Sequence, residues 1–335
     1  MVPGERSCLG SAAVRTIGID IGGTKIAGGV VDELGQVLAQ DRVPTDAGDP
    51  AALEDAVVAM VQRLSGDERL PVGVAAAGFI DAAQSTVYYA PNISWRNEPL
   101  RQRLEQRLGV AVVVDNDANA AGWAEFRFGA GRLVSDMVVL TLGTGVGGAV
   151  IVSDRLLRGG FGVAGELGHL RVVPDGRACG CGARGCLEQY ASGRALQRAA
   201  AEIADAGGVG GPLAAARAAA GGELVGADIG RLIGEGDPGA VAALQQVGSW
   251  VGQACASLAV SFDPQLFVLG GGVAAAGERL LDPVRRAFLD HLPARGYHPE
   301  PQFAVAELGN EAGVVGAADL ARLHEDGALR THLPG

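Results

Sequence analysis

Twice in this chain an apolar strand pattern runs into a glycine-rich turn and leaves it as a second strand. The first copy is Thr16 to Asp20, a turn, and Lys25 to Val31; the second is Met137 to Leu142, Gly143 to Gly148, and Ala149 to Ser153. The match is one of pattern rather than of letters, and it points to two units built on one plan. A third strand pattern, Val37 to Arg42, extends the first copy into an antiparallel meander. Leu53, Val57, Met60, Val61 and Leu64 then recur at helical spacing, as do Leu100, Leu104 and Leu108. Pro71 to Ala77 and Val110 to Val114 are apolar runs suited to buried parallel strands. In the second half Val247, Val251, Ala254, Cys255 and Leu258 mark a buried helix that ends at Asp263-Pro264, before the strand Leu266 to Leu269. At 335 residues the chain exceeds what one hydrophobic core usually supports. The expectation is an α/β fold of two domains with a cleft between them. A flexible leader, 1–14, precedes a small domain of 15–117 plus 309–335, and 118–308 form the larger domain.

A net charge of −11, with no Lys/Arg cluster, argues against a nucleic-acid partner. No apolar run approaches the roughly 20 residues that cross a bilayer, and the opening residues lack the apolar core of a signal peptide. The expected location is therefore the cytoplasm, with no membrane partner. There, five cysteines are thiols or metal ligands rather than disulfides.

Three glycine turns follow apolar strands directly: Asp20-Ile21-Gly22-Gly23-Thr24-Lys25, Gly143-Thr144-Gly145-Val146-Gly147-Gly148 and Gly270-Gly271-Gly272. Glycine lets backbone amides approach phosphate oxygens with no Cβ in the way. One such turn is usually a plain hairpin; three together favour a nucleotide cradle. Gly143, Gly145 and Gly148 fit the dinucleotide spacing, yet a strand rather than a helix follows them, and Gly22 to Lys25 lacks the Walker order.

Asp115-Asn116-Asp117 follows the run Val110 to Val114, at a strand's C-terminal end, where open α/β sheets bind ligands. A carboxylate there can take a proton from an attacking hydroxyl, or the trio can simply cap the helix opening at Ala118. His169, Cys179, Cys181 and Cys186 offer one imidazole and three thiols, a closed tetrahedral set of the kind structural zinc takes, in a loop with Gly180, Gly182 and Gly185. Glu166 and Glu188 flank this set, placed either to meet sugar hydroxyls or to face solvent.

These residues resemble the ROK family of sugar kinases and repressors, and within it the bacterial glucokinases most. The resemblance runs from about Thr16 to about Ala321. It is most specific in Glu166-Leu167-Gly168-His169 with the run from Cys179 to Glu188; Gly309-Asn310-Glu311-Ala312-Gly313 is similar to the family's closing motif. It implies two actin-like, ribonuclease H-like domains, with a zinc loop in the larger one and the last helix returning to the first. It implies Asp117 as general base, and Gly78, Asn92, Asn116, Glu166, His169 and Glu188 as sugar contacts, His169 also holding zinc through its other nitrogen. Asp20, Gly22, Gly23, Thr24, Lys25, Gly143, Thr144, Gly145, Gly271 and Gly272 are the implied cofactor contacts, with ATP and Mg²⁺ as cofactors and Asp20 anchoring the metal's water shell. Ala76 to Asp81 lacks the proline that often precedes the glycine of that segment, and Asn92 to Trp95 lacks a common added glycine.

The expected activity is transfer of the ATP γ-phosphoryl to a hexose, glucose first, with fructose, mannose or an N-acetylhexosamine as rivals, in a homodimer or homotetramer. A sugar-responsive repressor is disfavoured because about fifteen residues precede the first strand, too few for a helix-turn-helix. A sugar-binding protein without catalysis requires an idle Asp117.

Overall fold

The computed structural model describes residues 15–46, 48–207 and 211–325. The expected leader at 1–14 and the tail at 326–335 lie outside them. The described chain forms two compact units. The first runs to Ala124, takes in Gly160–Gly162 and resumes at Glu311; the second comprises Glu125–Gly159 and Val163–Asn310.

In the first unit β1 (Thr16–Ile21), β2 (Lys25–Val31) and β3 (Val37–Pro44) form the expected antiparallel meander. Helix α1 (Pro50–Ser65) follows, with Pro50 in its first turn and the Asp49 carboxylate accepting from the amides of Ala51 and Ala52. Next, β4 (Val72–Ala76) pairs parallel to β1. Three short strands, β5 (Phe79–Ile80), β6 (Val87–Tyr89) and β7 (Arg96–Glu98), make a small separate sheet before α2 (Leu100–Leu108). β8 (Val112–Asn116) then completes a five-stranded sheet of order β3-β2-β1-β4-β8, and α3 (Asp117–Phe128) leaves it.

The second unit repeats that order. β9 (Met137–Leu142), β10 (Val146–Val152) and β11 (Arg155–Leu156) form a second antiparallel meander. Helices α4 (Glu188–Ala191), α5 (Gly193–Asp205), α6 (Pro212–Ala219), α7 (Gly226–Glu235) and α8 (Pro238–Phe262) lead to β12 (Leu266–Gly270), α9 (Glu278–His291) and β13 (Gln302–Val305). The sheet reads β11-β10-β9-β12-β13, with the last two strands parallel to β9 or to each other, as β4 and β8 are in the first unit.

Several boundaries differ from expectation: β8 is Val112–Asn116 rather than Val110 to Val114, which takes Asp115 and Asn116 into the strand, and β3 runs on to Pro44. β10 begins at Val146, so Gly147 and Gly148 pair within the ladder, opposite Thr141 and Leu140, rather than forming the turn. Gly148 is a glycine for another reason: a Cβ there meets the Gly165 carbonyl and the Leu167 side chain at 2.6 Å. The chain thus uses it for close approach rather than for turning.

The last helix, α10 (Ala312–Glu325), belongs to the first unit and packs on β1, β2, β4 and β8. It lies so close that a Cβ at Gly18 collides with the Val314 carbonyl and one at Gly73 with the Ala317 carbonyl. Glycine in these two strand interiors therefore sets the helix-to-sheet distance. Ile17, Ile19 and Ile21 of β1 are buried together with Val57, Met60 and Val61 of α1 in one core cluster. A separate cluster in the second unit surrounds Val138, Leu140, Val251, Phe267 and Phe288.

Candidate active site

In the first unit, β1, β4 and β8 run parallel in register, so the segments after them emerge at the same edge of the sheet. Asp20 stands near the end of β1, Gly78 just beyond β4, and Asn116 at the end of β8. The Asn116 amide donates to the Gly78 carbonyl at 3.0 Å and accepts from the Asn119 backbone at 3.0 Å, which fixes its orientation.

The two aspartates that sequence spacing left equivalent are separated by where the strand ends. Asp115 is buried in β8 and accepts from the Gln84 amide at 2.8 Å, the Asn119 amide at 3.1 Å and the Asn116 backbone at 2.8 Å. Its lone pairs are occupied by the scaffold. Asp117, by contrast, opens α3 and accepts from the Ala118 backbone amide at 2.9 Å. Burial pushes its carboxyl above the usual carboxylate range, against the opposing pull of the Ala118 amide and its own. Asp20 is raised to about 6, by burial first and then by the charge of Asp117, while Lys25 works the other way. Gly313 of α10 leaves room for this carboxylate, since a Cβ there falls 2.6 Å from the Asp20 Oδ2.

The Gly22 amide donates to the Lys25 carbonyl at 3.0 Å, closing the β1–β2 turn. Gly23, Thr24 and Lys25 are exposed, and a Cβ on Gly23 lies 3.5 Å from the exposed Asn92. The first unit therefore gathers Asp20, Asn116 and Asp117, and brings the turn beside Asn92.

In the second unit the β9–β10 turn closes through the Gly143 amide and the Gly145 carbonyl at 3.0 Å, and the Gly193 amide donates to the Gly143 carbonyl at 2.7 Å. A cavity of about 990 Å³ opens here, lined by Gly143 and Thr144, by Arg194 of α5, by Gly230 of α7, and by Gly272 and Arg279 beyond β12. Gly145 and Gly271 shape its surroundings instead of lining it. Gly271 has φ +83°, and a Cβ there meets the Leu142 backbone at 2.6 Å. The contributions of α5, α7 and α9 to this wall were missed in the sequence, although the spacing of Gly226, Gly230 and Gly234 was there to be read.

The four proposed metal ligands come together. The Nδ1 or Nε2 of His169 and the three Sγ atoms of Cys179, Cys181 and Cys186 lie within 4.8 Å of one another. Cys179 Sγ is 3.7 Å from His169 Nδ1, and Cys181 Sγ is 3.7 Å from Cys186 Sγ. A tetrahedron with zinc bond lengths has edges of about 3.6–3.8 Å, so the donor set and spacing fit Zn²⁺. Thiols so close resist ionising together without a cation: burial, then Cys181 and Cys179, push Cys186 up to about 12. Short bridges, Arg171 to Cys186 and Ala178 to Arg184, fold the loop, and Gly185 at φ +77° passes under the Val173 carbonyl.

Glu188 heads α4 beside this cluster. Its Oε2 accepts from the Val146 amide at 3.2 Å, and its Oε1 is 3.8 Å from Cys179 Sγ. A Cβ on Gly145 falls 2.4 Å from the same Oε2, so the turn and Glu188 fit only with glycine there. Glu166 is half-buried at the head of the 3-10 turn that carries His169.

Two α/β units of one strand order, a carboxylate raised above its usual range at a strand's end, glycine turns around a cavity and a Cys₃His loop together define a sugar-kinase-like chain. The protein belongs to the ROK family, whose model matches residues 16–324. It is 47% identical to a glucokinase of Streptomyces coelicolor, covering 92% of this chain and 97% of that one. It is 36% identical to an N-acetylmannosamine kinase of Salmonella arizonae, over 92% and 99% of the two chains. A crystal structure of a ROK family glucokinase from Streptomyces griseus with glucose and AMPPNP superposes with a TM-score of 0.81 at 48% identity, covering 92% of this chain and 99% of that one.

Proposed function

We propose that the protein is an ATP:glucose phosphotransferase, a glucokinase that forms glucose 6-phosphate. The observation that carries this is the 48% identity, across nearly the whole chain, to a glucokinase whose structure holds glucose and AMPPNP. A coupled assay of ADP release with Mg-ATP against glucose, fructose, mannose, N-acetylglucosamine and N-acetylmannosamine tests it. Turnover led by glucose is expected. Turnover led by N-acetylmannosamine supports the second reading, which the 36% identity to a kinase of that sugar favours. Binding of glucose with no turnover of any sugar leaves a regulatory sugar-binding protein.

In this reading Asp117 takes the proton of the attacking sugar hydroxyl as the oxygen bonds to the γ-phosphorus and the bond to ADP breaks. Its raised carboxyl supports that role, because a carboxylate whose proton affinity is raised by burial is a stronger base for the hydroxyl proton. Asn116, held by Gly78, and Asn92 are proposed sugar contacts of the first unit; Glu166, His169 and Glu188 are those of the second. Since His169 turns Nδ1 toward the thiols, Nε2 is the proposed sugar-side nitrogen.

Asp20 fits Mg²⁺, being a hard carboxylate whose charge Asp117 disfavours and a cation favours; when bound, that ion neutralises phosphate charge. His169, Cys179, Cys181 and Cys186 are the proposed zinc ligands, and with no open position zinc there supplies fold rather than chemistry. Gly143, Thr144 and Gly272, together with Gly22, Gly23, Thr24 and Lys25, are the proposed nucleotide contacts, with Gly145 and Gly271 shaping the turns.

The shared strand order supports the actin-like plan. The division into 15–117 plus 309–335 and 118–308 is likewise part of the proposal, and limited proteolysis tests it. Among the described residues no helix is long and apolar enough to cross a membrane, which accords with a cytoplasmic location. Light scattering tests the proposed homodimer or homotetramer.

A further inference from the structure

Between β6 and β7, Ala90 to Trp95 form a hairpin loop that contains no glycine and no residue of positive φ. Without glycine's freedom, the shape of the loop depends on what its groups bond to. Ile93 and Trp95 turn inward, at 3% and 1% exposure, and join the core cluster of the first unit, while Asn92 and Ser94 stay exposed. Apolar side chains thus anchor the loop from within.

Its carbonyls are held by one cation. Arg96 opens β7 opposite Tyr89 of β6. The Arg96 Nη1 donates to the carbonyls of Trp95 at 2.6 Å, Ala90 at 3.0 Å and Ile93 at 3.3 Å, tying both ends of the loop to its middle. The guanidinium carbon stands 4.2 Å from the centre of the Tyr89 ring, a stacking that fixes the plane of the fork. In a chain with 38 acidic side chains, Arg96 pairs with none of them among the described residues. Its charge faces carbonyls instead, and hydrogen bonds from an ionised donor are roughly twice as strong as neutral ones. Two of the three tied carbonyls, those of Ala90 and Ile93, bracket Asn92 in sequence. The exposed Asn92 also has a close neighbour, since a Cβ on Gly23 falls 3.5 Å from its own.

We propose that Arg96 is a positioning residue for the acceptor sugar, gathering three loop carbonyls on one guanidinium nitrogen so that Asn92 is held ready to meet a sugar hydroxyl. The inference rests on the reading of Asn92 as a sugar contact given above. A side chain already in place loses little freedom when the ligand arrives, so Arg96 acts on sugar affinity rather than on the chemical step.

The test joins calorimetric titration with glucose, steady-state kinetics with Mg-ATP and hydrogen exchange of the 90–96 backbone, in the wild type, Arg96→Met, Arg96→Lys, Asn92→Ala and the double variant of Arg96→Met with Asn92→Ala. Arg96→Met should weaken glucose binding and raise its KM about tenfold, the size of one charge-assisted hydrogen bond. Its kcat should stay within about threefold, its KM for Mg-ATP should be unchanged, and its loop amides should exchange faster while those of β1 and β4 do not. Arg96→Lys, whose ammonium still donates to carbonyls, should recover most of the affinity. In the double variant the loss should be little more than that of Asn92→Ala alone, because the two residues act as one. If Arg96→Met does not fold, Arg96→Gln, which keeps a neutral donor, should show the same split at smaller amplitude. A lower melting temperature with glucose affinity unchanged, a fall in kcat with KM unchanged, or fully additive losses in the double variant overturns the proposal. Faster loop exchange in Arg96→Met beside an Asn92→Ala that binds glucose normally removes Asn92 as a sugar contact, and the proposal with it. An impaired Asn92→Ala beside an indifferent Arg96→Met removes the proposal alone.

Discussion

The two five-stranded sheets share a strand order but spend their corresponding ends differently. Asp20 is the fifth residue of six in β1, and Thr141 is the fifth of six in β9. Each pairs across to the second strand of its meander, Asp20 with Ala27 and Thr141 with Gly147. In the first sheet this edge carries two carboxylates that burial forces above their usual range, Asp20 being raised further by the charge of Asp117. In the second it opens into a cavity lined by glycines, small and apolar side chains and two arginines, Arg194 and Arg279. In the proposed reading, one plan used twice supplies proton and cation chemistry in one unit and room for an anion in the other. Topology sets where a strand ends, and the residue placed there sets what that end does.

The largest expected effect tests whether the carboxylate edge does the chemistry. Asp117→Asn should lower kcat by about 10²–10⁴, the contribution of a positioned base, while calorimetry still shows glucose binding; a near-normal rate would break the division of labour. In wild type kcat/KM should fall on acidification at a pH above the ordinary carboxylate value of about 4, because a protonated Asp117 cannot accept. A limb at or below that value removes Asp117 as the group observed.

Next comes the metal loop. Cys181→Ser should lose one zinc per chain by metal analysis and lower the melting temperature by on the order of 10 °C, since opening a structural site forfeits several kcal/mol of folding energy. Wild type isolated without zinc would sink the assignment.

A smaller effect has a distinctive sign. Asp20 has a folded pKa of about 6 against an ordinary 3.8, so the fold favours its protonated form. That contribution is fully present below the unfolded value and is lost as pH rises through about 6. Asp20→Asn, neutral throughout, should therefore melt higher than wild type at pH 8, with the gain shrinking toward pH 4, even as activity falls. A gain independent of pH would show that charge is not its source. The smallest effect belongs to the matching position: Thr141→Ala should leave activity within about threefold, as a change touching no charge does. A loss rivalling that of Asp20→Asn would erase the contrast between the sheets.

What the sequence showed was what is local. Both meanders, the glycine turns and the Cys₃His set lie in contiguous stretches whose period or spacing is the signal. The strands β5 to β7 were not legible, because two or three residues carry no period and their pairing depends on neighbours brought together by folding. Gly148 read as a turn for the same reason: what demands a glycine there is Leu167, distant in sequence. Asp115 and Asp117 could not be ranked by spacing, since their difference is the single peptide at which β8 becomes α3.

The contact of Gly18 and Gly73 with α10 also bears on how the protein is made. The strands of the first sheet leave the ribosome before any of the second unit, yet the helix that covers one of their faces is synthesised only after the second unit is complete. At translation speeds of about 5–20 residues per second, that apolar face waits roughly 10–40 s for its cover. The unit begun first is therefore completed after the one begun second. During that interval the nascent chain presents a bare sheet that a chaperone can hold and that neighbouring chains can find.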